Sequence, residues 1–188
     1  MKTVLYIKNM VCDRCKIVVS QSLGEMGLTC ANVELGTVTI VSDTVPDYGQ
    51  VRRVLESKGF ELIADKNGVI IERIKTSLID FVDPERQIEE GNVSAFLSKT
   101  LNRDYSLLSK LFSRTQGISI EKYVIRLKIE KVKEFIQMND LSFSEVAYTL
   151  GYKSSSHLAR QFKAVTGLSM SEYKNMQEWE RRPLDQIV

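Results

Sequence analysis

The chain has 188 residues, 43% of them hydrophobic and 27% charged, with 26 Lys and Arg against 24 Asp and Glu, three cysteines and a single histidine. That is enough apolar chain for a real core in one large or two small domains, but it has neither the long apolar run of a transmembrane helix nor the cysteine density of a disulfide scaffold. The opening MKTVLYIKNM also lacks the apolar stretch and small-residue cleavage site of a signal peptide, which points to a cytoplasmic protein with reduced thiols and no membrane partner.

In chain order, TVLYIK alternates and is rich in β-formers, so it reads as a strand. From Cys15 the apolar spacing changes to Val19, Leu23 and Met26, the stripe of a helix. ANVELGTVTIVS reads as two short strands meeting at Gly36. PDYGQVRRVLESKG is helical, with Pro46 near its first turn and Gly59 as its C-cap, and FELIA is a last strand. The order β-α-β-β-α-β over residues 1–66 is the split βαβ plan of a ferredoxin-like sandwich. The expected fold class is therefore α+β, this sandwich followed by an all-α part. In VIIERIKTSLIDFVD, Ile70, Ile74, Leu78 and Val82 stand at helical spacing and Pro84 stops the run. This joining helix, 67–83, leads into eight or so further helices, with a polar tail over 177–188.

The second half repeats itself. LSKLFSRTQGISIEKY (108–123) and LARQFKAVTGLSMSEY (158–173) align at an offset of 50, pairing Leu108 with Leu158, Phe112 with Phe162, Gly117 with Gly167, Ser119 with Ser169 and Tyr123 with Tyr173. Upstream, Asn102 in TLNRDYS takes the place of Gly151 in TLGYKSSS. Asn and Gly are the types that best tolerate a left-handed backbone, as a tight turn between helices requires. Each repeat thus reads as helix, turn, helix, and the long run SIEKYVIRLKIEKVKEFIQMN tethers the two.

A helix-turn-helix places its second helix in the major groove of double-stranded DNA. In the first repeat Leu108, Leu111 and Phe112 are expected inside, with Tyr105, Ser106, Ser109, Lys110 and Arg114 outside. In the second, Leu158, Phe162 and Val165 are expected inside, with Ser155, Ser156, Ala159, Arg160 and Lys163 outside. Arginine suits bidentate contact with guanine, and serine suits bases or phosphates. A tether of about 20 residues, about 30 Å long, fits grooves about 34 Å apart. Charge agrees: residues 1–74 carry 9 Lys and Arg and 9 Asp and Glu, whereas residues 93–174 carry 13 and 7. A positive block suits a phosphate-facing module. His157 stands without a ligand cluster and is expected to pack beside the turn or touch a phosphate.

FSEVAYTLGYKSSSHLARQFKAVTGLSMSEYK closely resembles the signature of AraC/XylS-family bacterial transcription regulators, through Ala147, Leu150, Gly151, Tyr152, Ser154, Arg160, Phe162, Lys163, Gly167 and Tyr173. The resemblance implies a double helix-turn-helix domain, here 84–176, reading one asymmetric DNA site, with RNA polymerase or another protein as partner and no enzymatic activity. Met170 stands where that family usually has proline.

In NMVCDRC, Cys12 and Cys15 sit two residues apart at a strand-to-helix junction. Such a pair can bind a soft metal or run thiol redox chemistry, and the domain around it can instead serve as a partner or oligomerisation surface. NMVCDRCKIVVSQSL, with Met10, Cys12 and Cys15, resembles the heavy-metal-associated domain of copper chaperones and transporting ATPases, and KGFELI resembles its closing strand. The resemblance implies Cu(I) or another soft metal at Cys12 and Cys15. Asn9 replaces the glycine usual before the methionine. The leading expectation is a DNA-binding regulator responsive to a metal or thiol state, with the joining helix as lever. The alternative is a copper chaperone with a helical docking module.

Overall fold

The structure is a computed structural model and describes residues 1–43, 45–86, 92–176, 181–184 and 187. It divides into two compact units, Met1–Ser77 and Leu78–Val188. Most of the expected tail lies outside the described residues. Among these, no helix is long and apolar enough to cross a membrane.

The first unit runs β1 (Lys2–Lys8), α1 (Asp13–Glu25), β2 (Thr29–Glu34), β3 (Thr37–Val41), α2 (Tyr48–Glu56) and β4 (Glu61–Leu62). The sheet order is β2-β3-β1-β4, with every neighbouring pair antiparallel. Side chains alternate across a strand. Leu5 and Ile7 of β1 and Val38 and Ile40 of β3 therefore share the buried face, against Val19 and Leu23 of α1 and Val51 and Leu55 of α2. The Asp47 carboxylate accepts the Gly49 and Gln50 N–H groups and starts α2, so Pro46 lies just outside it. The last helical residue of α2 is followed by the C-cap Ser57, and Gly59, at φ +83°, makes the expected left-handed closing turn, with the Gly59 N–H returning to the Glu56 carbonyl and the Phe60 N–H to the Leu55 carbonyl, both at 3.0 Å. The last strand is only two residues long, although the Ile63 N–H still reaches the Tyr6 carbonyl at 2.8 Å.

The division between the units falls inside α3 (Lys66–Val82). A 3-10 turn (Pro84–Arg86) follows, then α4 (Val93–Leu101), α5 (Tyr105–Gln116), α6 (Ile120–Met138), α7 (Phe143–Thr149), α8 (Ser155–Thr166) and α9 (Met170–Lys174). Six α-helices are thus described after α3, fewer than the eight or so expected.

Each identity of the repeat does the same job twice. Leu108 and Leu158, with Phe112 and Phe162, are buried. Gly117 and Gly167 are left-handed C-caps, at φ +71° and +80°. Ser119 and Ser169 are the N-caps of α6 and α9. Tyr123 meets Phe112 with ring centroids 5.3 Å apart, and Tyr173 meets Phe162 at 5.6 Å. Along α6, Ile120, Tyr123, Val124 and Leu127 are buried in the first half. Ile129, Val132 and Ile136 of its second half join the core of α7, α8 and α9.

Candidate nucleic-acid interface

The two turns are built alike from different residues. Asn102 closes α4 at φ 48°, ψ 49°, and Gly151 turns the chain after α7 at φ +70°. Both are left-handed, the region that Gly and Asn enter at least cost. The next helix then starts on a side-chain cap. Asp104 accepts the Ser106 N–H at 2.7 Å, and Ser154 accepts the His157 N–H at 3.2 Å.

One residue, Arg103, separates Asn102 from Asp104, whereas Tyr152 and Lys153 separate Gly151 from Ser154. The second turn absorbs its extra residue by tucking Tyr152 in. The Tyr152 hydroxyl donates to Gln161 Oε1 at 2.6 Å, and its ring meets His157 edge-on at 5.5 Å. Lys128 lies 5.3 Å from that ring's centroid and donates to the Leu150 carbonyl at 2.7 Å, closing the end of α7. Burial pushes the Tyr152 hydroxyl up to about 12 and lowers Lys128. The single histidine is therefore a packing residue of this turn. Among the described residues no group of three or more His, Cys, Asp or Glu is placed to hold a metal.

On α5, Ser106, Lys110 and Arg114 are exposed and Ser109 is half-buried. On α8, Ser156, Arg160 and Lys163 are exposed and Ser155 is half-buried. At 100° per residue, Lys110 and Arg160 point about 160–200° away from the buried Leu and Phe of their own helices.

Four expectations change. Tyr105 is not outward: its hydroxyl donates to Glu121, and burial, together with that carboxylate, keeps it protonated well above the ordinary tyrosine range. Ala159 packs against the core of the second repeat. Val165, expected inside, is 44% exposed, and Leu111 is half-buried. Sequence reasoning also passed over Leu107 on α5, 63% exposed, and Tyr148 on α7, 87% exposed. Adjacent helical positions lie about 100° apart, so in the pair Leu107–Leu108 only one can face the core. The match of Leu108 to Leu158 says which.

Residues 97–176 match the family model described as a helix-turn-helix domain. The second unit carries a helix-turn-helix domain. The chain is similar to the uncharacterized HTH-type transcriptional regulator YijO of Escherichia coli K12, 26% identical over 133 residues that make up 69% of this chain and 47% of that protein. It is similar to the Msm operon regulatory protein of Streptococcus mutans, 26% identical over 42% of this chain and 28% of that one. The melibiose operon regulatory protein of Escherichia coli K12 is 26% identical over 44% of this chain and 26% of its own length. The chain thus spans less than half the length of each of these curated relatives. Among solved structures, the C-terminal domain of AraT, a response regulator from Geobacillus stearothermophilus, shares the fold. Its TM-score is 0.50 at 19% identity, over 63% of this chain and 96% of that one.

The thiol loop lies outside the helix-turn-helix domain. Cys12 is the N-cap residue of α1 and is exposed, Cys15 is half-buried, and their sulfurs are 3.6 Å apart. Burial raises the Cys15 thiol. Cys30 is half-buried against the core. Asn9 sits at φ 72°, which explains why glycine suits that place, and its side chain donates to the Gly59 carbonyl at 3.0 Å. The Asn9 N–H donates to Glu72 Oε1 on α3 at 3.1 Å. Burial raises the Glu72 carboxyl, and that N–H opposes the rise. Met10 is wholly buried, a core residue rather than a free ligand. Two neighbouring thiols suit a two-thiolate ion such as Cu(I), whereas tetrahedral Zn(II) needs four ligands.

Proposed function

We propose that the chain is a cytoplasmic, sequence-specific DNA-binding regulator of transcription and not an enzyme, with α5 and α8 in successive major grooves. The observation that carries this is the doubled outward face, with Lys110 and Arg160 at matched places opposite matched buried residues. The 19 residues of α6 give a tether of about 28 Å, close to the roughly 34 Å groove repeat. Lys110 and Arg160 read base edges, with Ser106, Ser109, Ser155 and Ser156 beside them, while Arg114 and Lys163 meet phosphates. Exposed Tyr148 and Lys99, at equivalent places on the first helix of each repeat, also suit phosphates, because that helix crosses the DNA backbone. RNA polymerase or another protein completes the partners.

Arg160→Ala is expected to cost about 1–3 kcal/mol at one base pair and to relax specificity there. Binding measured on duplexes mutated position by position checks it, and an unchanged profile removes Arg160 from the base-reading set.

The first unit is read as a ferredoxin-like, heavy-metal-associated-type domain that takes a soft metal, Cu(I) foremost, at Cys12 and Cys15. Its strand order β2-β3-β1-β4 and the sulfur pair support this. The Asn9–Glu72 bond ties the thiol loop to α3, the helix through which a change at the loop would act, since a ligand shifts only states it binds differently. Anaerobic Cu(I) titration of the full chain against a competing chelator is expected to show one tight ion per chain, lost in Cys12→Ser/Cys15→Ser. Equal binding by both proteins leaves a thiol switch or a partner surface for the loop.

A further inference from the structure

We infer that Leu107 is a specificity residue that packs on the C5 methyl of a thymine in the half-site read by α5. This rests on the reading of α5 as a base-contacting helix. Leu107 is the third residue of α5, in its first turn, the part of a second helix that meets base edges. It shares the exposed arc with Ser106, Lys110 and Arg114, an otherwise polar and cationic face. At that place Leu107 is 63% exposed, so most of its apolar surface stays in water in the folded chain alone. Among the groups that base pairs present in the major groove, only the thymine methyl is apolar.

The second repeat offers no counterpart. Its equivalent residue is His157, half-buried with its ring held against Tyr152. The apolar contact therefore belongs to one half-site and helps make the site asymmetric. Lys110 lies one turn further on the same face, about 4.5 Å along the helix. That is comparable to the roughly 3.4 Å between base pairs, so the thymine lies beside the pair that Lys110 reads.

The test uses the full-length chain and a duplex obtained by selection from random sequence. Each thymine is replaced in turn by deoxyuridine, which keeps the pairing edge and removes only the methyl. One position is expected to weaken binding about fourfold, the worth of one buried methyl-sized group. Leu107→Ala is expected to bind the thymine and deoxyuridine duplexes equally at that position and to keep the rest of its profile. If no replacement weakens the wild-type protein, or if Leu107→Ala retains the same discrimination, the assignment of Leu107 is overturned while the DNA-binding reading stands. If selection enriches no duplex at all, the DNA-binding reading fails and the assignment falls with it.

Discussion

Truncating Phe162 to alanine is expected to cost about 3–5 kcal/mol of folding stability, the usual range for a large aromatic removed from a sealed core. The ring is fully buried among Leu158, Val132, Met170 and Tyr173, with the Tyr173 ring 5.6 Å away. Removing it leaves a void that a helix pinned by caps at both ends, Ser154 and Gly167, cannot close by sliding. Typical domains hold only about 5–15 kcal/mol in total. Specific DNA binding is expected to fail with stability, because the same ring sets which way Arg160 and Lys163 point. Phe112→Ala is expected to behave alike, since Phe112 has the same burial and its own tyrosine, Tyr123. Urea denaturation followed by circular dichroism reads both. A loss under about 1 kcal/mol would mean that the ring is not sealed in the folded chain.

The repeat was legible because each of its identities has one physical job: core, left-handed cap, N-cap or ring pair. Strands β1 and β3 were legible because one-sided burial forces alternation, as at Leu5, Ile7, Val38 and Ile40. The outward faces were legible only in part. Helical angle predicts where a side chain leaves the helix but not what waits there. Val165 leaves α8 on the core side and meets an open cleft, shared with Tyr173, Met176 and Ile187, instead of a sealed core. Tyr105 is long enough to bend back to Glu121, sixteen residues away in sequence. Gly59 was legible as the glycine that closes α2 because a left-handed residue there lets the Phe60 N–H return to Leu55, whereas the end of regular helix at Ser57 was not.

Two departures from the resembled families, Met170 and Asn9, have local reasons. Met170 is the first residue of α9, a position where proline costs nothing because its missing N–H is unused, so methionine fits as well and adds buried surface. Asn9 holds the left-handed place where glycine is usual and adds the bond to Gly59. The link to Glu72 runs from the Asn9 backbone N–H, which glycine would also supply, and no spacing rule reveals it, since the two residues lie 63 positions apart.

Salt gives the other large effect. With Lys110 and Arg160 on bases, Lys99, Arg103, Arg114, Lys153 and Lys163 remain as exposed cations on or beside the two helix-turn-helix units. Five phosphate contacts imply a slope of about −4.5 for the logarithm of affinity against the logarithm of salt, so raising salt from about 50 to about 200 mM is expected to weaken binding about 500-fold. Lys163→Ala is expected to flatten that slope by about one and to weaken all sequences alike. Arg160→Ala acts through a base contact, so it is expected to change the sequence profile more than the slope. The two variants therefore separate positioning from reading on neighbouring turns of one helix. Fluorescence anisotropy on specific and scrambled duplexes across a salt series measures both quantities at once. A slope near zero would remove the phosphate-facing role from these five residues and favour a protein-docking surface, as the copper-chaperone alternative requires.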